Sequence, residues 1–263
     1  MIFGCSNSYN EKEYTRVKPK IISLFSGAGG MDLGFEMAGF ETAIALEYDS
    51  SCCDTLRANR SHLKIIEGDI SSVTTEQILR TAALKPLEAA LVVGGPPCQS
   101  FSLAGKRLGM GEARGRLVLD FIRVVREALP IGFIMENVKG MANWEQGAAL
   151  KAIEDELSDC VVYEGKNYQY VVQHKVLNAA DFGVPQFRER IFLVGNRIDK
   201  VFDFPKPTHF SSSKNPSLFT DEHEKQYASV WDAIGSLPSA DEPSDVAMRV
   251  SQSIKGRIEK HGY

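Results

Sequence analysis

The sequence predicts an α/β fold with a mostly parallel, twisted sheet and an antiparallel hairpin at one edge. Three observations carry this expectation. Short apolar runs alternate with segments of helical spacing from Ile21 to Met135. The runs are stopped by glycine, proline or a carboxylate. After Asp159 two strand-like runs follow each other with no helix between them. Alternation of the first kind marks βαβ units with parallel strands, and the late pair suits an antiparallel edge.

In chain order, residues 1–18 are polar and mixed and read as a flexible arm. Ile21 to Phe25 is a first strand, stopped by Gly27, Gly29 and Gly30, and Met31 to Ala38 has helical spacing up to Gly39. Thr42 to Leu46 is a second strand that ends at Glu47 and Asp49. Ser50 to Asn59 reads as a helix capped by Ser50 or Asp49, because a short polar side chain there satisfies the first amides. Lys64 to Ile66 is a third strand ended by Gly68 and Asp69, and Thr74 to Leu84 is helical. Ala89 to Val93 is a fourth strand ended by Gly94, Gly95, Pro96 and Pro97. Leu117 to Leu129 is a helix and Gly132 to Met135 a fifth strand. The late pair covers Tyr168 to Leu177 and Arg190 to Val194. From Phe204 onward, Pro205, Pro207 and the Ser211–Ser213 run read as linker, followed by a short helix from Val230 to Leu237.

The bulk numbers narrow the function classes. A chain of 263 residues forms a full core without disulfides or metals. Its net charge of −4 is not that of a globally basic nucleic-acid binder, so any such contact needs a local basic patch or a partner. The five cysteines, Cys5, Cys52, Cys53, Cys98 and Cys160, show no zinc-knuckle spacing. Reduced thiols, a cytoplasmic setting and no metal are expected. Neither a secretory leader nor a run long enough to span a bilayer is found.

Ligands of open α/β sheets sit beyond the carboxyl ends of the strands. After strand one comes Phe25-Ser26-Gly27-Ala28-Gly29-Gly30, where glycines let the backbone pass close to a ligand. After strand two comes Glu47, placed to accept both hydroxyls of a ribose, and after strand three Asp69, placed to accept from an adenine amino group. Each alone is equally a tight turn or a solvated strand end; jointly they describe a pocket for an adenosine-containing cofactor. A dinucleotide fingerprint would need glycine where Asp32 stands, and an aspartate there sits badly beside a pyrophosphate.

Strand four runs into Pro96-Pro97-Cys98-Gln99-Ser100-Phe101-Ser102. Many lone cysteines are inert small hydrophobes. This one follows two prolines that pre-set the backbone, at the ligand-facing end of a central strand, as a nucleophile would. Strand five runs into Glu136-Asn137-Val138, where a carboxylate beside that thiol is either a general acid or a helix cap.

These segments, in this order, resemble the DNA (cytosine-5) methyltransferase family. Ile21 to Phe40 resembles its cofactor glycine motif, Pro96-Pro97-Cys98-Gln99 its nucleophile motif, Glu136-Asn137-Val138 its acid motif and Gln186-Phe187-Arg188-Glu189-Arg190 its paired-arginine motif. The likeness covers about Ile21 to Gly195 and is looser to near Tyr263. It implies a Rossmann-like S-adenosylmethionine-dependent methyltransferase fold. It implies an arm over 1–18, a cofactor-binding catalytic domain over 19–200 and an irregular extension over 201–263 that ends where a target-recognition region would begin.

The resemblance also implies roles. Cys98 would attack carbon 6 of a cytosine flipped out of duplex DNA, and Glu136 would hold the ring at N3 and the exocyclic amine. Arg190 would bind the base O2, Arg188 would support the adduct, and Asn137 would orient Glu136 and the Pro97 loop. Phe25, Ser26, Gly27, Ala28, Gly29, Gly30, Glu47, Tyr48, Asp69, Ile70 and Pro96 would surround S-adenosyl-L-methionine, leaving S-adenosyl-L-homocysteine as product. The loop carrying Gln99, Ser100, Ser102, Lys106, Arg107, Arg114 and Arg116 would close over the DNA. Single-chain members continue into a recognition region and closing motifs that are not found here. The chain therefore reads as the alpha subunit of a split modification methylase of a restriction-modification system, with a beta subunit as partner. A tRNA cytosine-5 methyltransferase, or an inactive truncated or regulatory subunit, stands as the alternative.

Overall fold

The structure is a computed structural model that describes residues 18–97, 116–211 and 225–237, and Gln252. Its described part divides into two compact units: one runs through Asn178 and resumes over Glu189–Lys206, the other comprises Ala179–Arg188 and continues from Pro207.

The first unit holds a seven-stranded sheet. It contains β1 (Lys20–Leu24), α1 (Gly30–Met37), β2 (Glu41–Glu47), α2 (Ser50–Asn59), β3 (Ile65–Glu67), α3 (Thr75–Ala82), β4 (Leu91–Gly94), α4 (Arg116–Ala128) and β5 (Gly132–Val138). Then come a 3-10 segment (Lys139–Gly147), α5 (Ala148–Ser158), a hairpin of β6 (Val161–Tyr163) and β7 (Lys166–Tyr168), and the long strands β8 (Val171–Asn178) and β9 (Glu189–Asn196). The order in the sheet is β3-β2-β1-β4-β5-β9-β8. β1 to β5 pair in parallel, while β9 runs antiparallel to both β5 and β8. This is the α/β sheet with an antiparallel edge that the alternation predicts.

Right-handed crossovers decide which face each helix covers. From β1 the chain moves outward through α1 to β2 and α2 to β3. It then crosses to β4 and moves the other way, so α3 and α4 lie on the opposite face from α1 and α2. Contacts of α3 with α4 and of α4 with α5 agree. The reversal between β1 and β4 makes the cleft at their carboxyl ends the topological switch point, where α/β sheets bind ligands. Ile22, Leu24, Ile44, Leu46, Val92, Phe121 and Phe133 lie in one buried core cluster. Burying an aliphatic or aromatic side chain of this kind stabilises the fold by about 1.5–3 kcal/mol.

Local chemistry fixes the helix starts. Asp49 caps α2 by accepting from Cys52 N, which settles the choice between Ser50 and Asp49, and Thr74 caps α3 by accepting from Gln77 N. Several boundaries differ from the sequence reading. β5 reaches Val138, so Glu136 and Asn137 lie within the strand because β9 pairs with it to that point. The Lys139–Ser158 helical stretch was not expected. Tyr168 belongs to β7 rather than to β8, since the chain turns at Glu164-Gly165, both at positive φ, and the buried Tyr170 donates to Pro130 O before β8 begins. Phe202 and Phe204, in the stretch read as the start of an irregular extension, line an apolar groove with Phe35, Ile134 and Phe192 of the first unit. No helix among the described residues is long and apolar enough to cross a membrane.

The second unit holds a 3-10 turn (Ala179–Phe182), β10 (His209–Phe210) paired in parallel with β11 (Lys225–Gln226), and α6 (Val230–Ile234). Asp181 organises it: its carbonyl accepts from Thr208 N and its carboxylate from the Tyr227 hydroxyl. Ser229 and Asp232 form a reciprocal capping box at α6.

Candidate active site

The carboxyl ends of β1 and β2 meet in a loop held by its own backbone. Phe25, Gly27 and Gly29 all adopt positive φ (55°, 54° and 83°), which folds the chain sharply between β1 and α1. Gly27 and Gly30 have open space where a Cβ would stand, whereas a Cβ on Gly29 would come within 2.7 Å of Leu56 Cδ2. The front of the loop is thus open and its back is packed. Glu47, at the end of β2, accepts from Gly27 N through Oε2 at 2.7 Å and from Tyr48 N and Asp49 N through Oε1 at 2.8 Å. Asp69 accepts from Ser71 N through Oδ1 at 2.9 Å, capping a 3-10 turn. Ile70 is 2% exposed and belongs to the core. The Tyr48 ring is exposed.

Behind the loop lies a buried polar cluster. Asp32, in the first turn of α1, is fully buried and accepts from Ser23 Oγ of β1 at 2.5 Å. Burial pushes its carboxyl above the ordinary carboxylate range, against the opposing pull of the Ser23 hydrogen bond and the Arg60 charge. A second carboxylate, Glu36, shares Arg60 with it. Asp32, the one acidic residue in the first turn of α1, disfavours a pyrophosphate there. The open glycine backbone and the Glu47 carboxylate suit an adenosine-type cofactor. Asp32 had drawn notice in the sequence; Ser23 and Arg60 had not, because nothing local marks a serine inside a strand or an arginine at a helix end.

The second cluster lies at the ends of β4 and β5 and the start of β9. The Arg190 guanidinium Nε lies 2.9 Å from Glu136 Oε1, with side-chain exposures of 23% and 21%. The second oxygen, Oε2, stands 3.1 Å from where a Cβ on Gly95 would be, so the residue after β4 must be glycine for the carboxylate to lie there unshifted. Asn137 is 3% exposed; its Nδ2 donates to Pro96 O at 3.1 Å, and its Oδ1 accepts from Val138 N at 2.8 Å. Pro96, Glu136, Asn137 and Arg190 are therefore brought together. Register explains it: the antiparallel pairing sets Val138 opposite Arg190 and Glu136 opposite Phe192. An exposed pair, Lys139 Nζ with Glu189 Oε1 at 2.8 Å, flanks this point and had no signal in the sequence.

Pro97 is exposed and leads directly to Cys98, which lies outside the described residues, as do Gln99, Ser100, Ser102, Lys106, Arg107 and Arg114. Arg116 is exposed at the start of α4. Arg188 falls in the second compact unit, where its carbonyl accepts from Ala179 N. Among the described residues, no group of three or more His, Cys, Asp or Glu is placed to hold a metal ion.

Comparisons with known proteins agree with this layout. A crystal structure assigned as a DNA modification methyltransferase encoded within an E. coli prophage matches with a TM-score of 0.64 at 26% identity, covering 85% of this chain and 56% of that one. The Type II methyltransferase M.AquIA of Picosynechococcus is 60% identical over 248 residues, which is 94% of this chain and 100% of the relative. The Type II methyltransferase M.NgoFVII of Neisseria gonorrhoeae is 37% identical, covering 92% of this chain. The chain spans 59% of M.NgoFVII, and 43–60% of other curated relatives at 35–43% identity. The family profile described as C-5 cytosine-specific DNA methylase matches residues 19–257, and the chain belongs to that family.

Proposed function

We propose that this chain is the cofactor-binding, catalytic part of a modification methylase that transfers a methyl group from S-adenosyl-L-methionine to carbon 5 of a flipped cytosine in double-stranded DNA. The observation that carries the reading is Glu136 of β5, whose carboxylate lies between Arg190 and Gly95, the glycine that follows β4 on the way to Pro97 and Cys98. Addition to a pyrimidine ring needs a nucleophile and an acid group that can reach the ring nitrogen.

Bound S-adenosyl-L-methionine would supply an electrophilic methyl on a sulfonium. The chain's residues do the rest. Glu47 would accept the ribose hydroxyls, Asp69 the adenine amino group, and the Phe25–Gly30 backbone would border the methionine part. The Cys98 thiolate would form a bond from Sγ to carbon 6 while Glu136 delivers a proton to N3, which leaves carbon 5 an enamine carbon able to take the methyl. A base, through water, would then remove the carbon 5 proton, the bond to Sγ would break to release the Cys98 thiolate, and the N3 proton would return to Glu136. Arg190 would hold Glu136 in place and reach the base O2; Arg188 would support the adduct. Asn137, by fixing Pro96 O, would set the entry to Pro97 and Cys98. Lys106, Arg107, Arg114 and Arg116, with Gln99, Ser100 and Ser102, would meet the DNA.

We further propose a catalytic domain over 19–200, with an arm before it and an extension over 201–263. A cytoplasmic restriction-modification setting and a beta-type chain supplying target recognition complete the reading. A net charge of −4 favours a partner for DNA reading.

The deciding experiment incubates the chain, alone and with a complementing chain, with labelled cofactor and either duplex DNA or tRNA. Transfer to duplex DNA only when both chains are present, with a covalent complex trapped on 5-fluorocytosine DNA, is the expected result. Sequence-specific transfer by the chain alone overturns the split, transfer to tRNA overturns the substrate, and no trapped complex overturns the mechanism.

A further inference from the structure

We propose that Arg60 is a positioning residue for the cofactor loop: from the end of α2 it clamps Gly29 and the first turns of α1 from behind, keeping the Phe25–Gly30 backbone in the shape that cofactor binding needs. The proposal rests on reading that loop as a cofactor site.

Arg60 follows the last residue of α2, and its side chain is only 11% exposed. Its Nη2 donates to Gly29 O at 3.2 Å, and its Nη1 lies 3.3 Å from Glu36 Oε1 and 3.6 Å from Asp32 Oδ2. One guanidinium thus faces a loop carbonyl and two carboxylates of the following helix. A planar fork with several fixed donors can address all three; an ammonium cannot. Gly29 presses on the same support, since a Cβ there would lie 3.4 Å from Arg60 Cζ. The cluster continues through Asp32 to Ser23, and Ser23 Oγ lies 2.9 Å from Ser26 Oγ of the loop itself. Glu36 in turn accepts from Thr42 Oγ1 at 2.7 Å.

The loop therefore has two anchors of different character. In front, Gly27 N donates to Glu47 Oε2, the carboxylate that a ribose diol would use. That anchor competes with the ligand. Behind, the Arg60 hold faces away from the ligand and competes with nothing. It is the restraint that persists when Glu47 turns to a ribose. Asp32 Oδ2 and Arg60 Nη1 are both buried and without a hydrogen-bond partner.

The full chain, with its complementing chain, is measured as wild type, Arg60→Met, Arg60→Lys and Arg60→Met with Asp32→Asn. Readouts are S-adenosylhomocysteine affinity by calorimetry, thermal midpoint, and amide hydrogen exchange of residues 27–31 without ligand. Arg60→Met is expected to weaken binding about tenfold and to speed that exchange about tenfold, the scale of a lost charge-assisted hydrogen bond. Arg60→Lys falls between. The double variant recovers the midpoint lost to a stranded Asp32 charge but not the affinity, because Gly29 still lacks its anchor. Wild-type affinity and exchange in Arg60→Met overturn the proposal. So does recovery of affinity together with the midpoint in the double variant, which would make Arg60 merely structural. A wild type that binds no S-adenosylhomocysteine overturns the cofactor reading itself, an outcome distinct from both.

Discussion

The two ends of the proposed catalytic cleft are built from different materials. On the β1–β2 side the groups offered are backbone amides and carbonyls of a glycine loop, backed by Asp32, Arg60 and Ser23 and faced by the single carboxylate Glu47. On the β4–β5–β9 side they are side chains held by other side chains and by strand register: Glu136 by Arg190, Pro96 by Asn137. A backbone site spreads its function over many amides, and loss of one side chain weakens it by degrees. A side-chain site concentrates its function, and one substitution removes it. Binding and chemistry should accordingly separate along this line when each side is cut.

The sharpest cut is at Cys98. Cys98→Ala is expected to lower methyl transfer by more than about a thousandfold, as removal of a covalent nucleophile does. Calorimetry on the same preparation should show S-adenosylhomocysteine affinity unchanged. A variant that still turns over, or that loses cofactor binding, would break the proposed division between binding and chemistry.

Glu136→Gln keeps the shape and removes the acid group facing Arg190. Transfer is expected to fall by about 10²–10⁴-fold, the range for a general acid, again without loss of cofactor affinity. Because Arg190 touches Glu136 directly, Arg190→Gln in that background should add little to the loss. Full additivity of the two single effects, read from kcat/KM, would mean that Arg190 acts on the base independently of Glu136.

Glu47→Gln tests the other side. Glu47 accepts three backbone amides and is the expected ribose acceptor. The variant is expected to weaken S-adenosylhomocysteine binding about tenfold while kcat at saturating cofactor stays within about twofold, the pattern of lost uniform binding. A large fall in kcat with intact affinity would reverse the assignment of the two ends.

The same division governed how much could be read from the chain. β1 to β5 and α1 to α4 were legible because apolar runs and glycine stops repeat with helical spacing between them. The loop residues Gly27, Gly29 and Glu47 followed from their places after strands. The Lys139–Gly147 and Ala148–Ser158 helical stretch was not seen, and neither was the β6–β7 hairpin, whose strands are three residues each and leave no periodicity to find. The Glu136–Arg190 contact joins residues 54 positions apart and depends on β9 inserting between β5 and β8, so Glu136 was read from its place at strand five but only the resemblance gave Arg190 a role. Arg60 was invisible for a related reason: its partners Gly29, Asp32 and Glu36 lie across a strand and a helix from it, and sequence spacing carries no trace of that packing.

The smallest effect concerns Asp32, where cost rather than activity is measured. Burial raises this carboxyl above its ordinary value of 3.8 in spite of Ser23 and Arg60. The folded chain then binds the proton more tightly than the unfolded chain. Its contribution to stability is present in full below the unfolded value and is lost as pH rises through the folded one. Asp32→Asn removes that titration while keeping the size of the side chain. Stability of the wild type relative to the variant, from denaturant midpoints between about pH 3.5 and 7, is therefore expected to decline as pH rises. A difference that instead grew with pH would mean that Arg60 outweighs burial, making the pair behind the glycine loop a source of stability at neutral pH rather than a strained support held for the loop it carries.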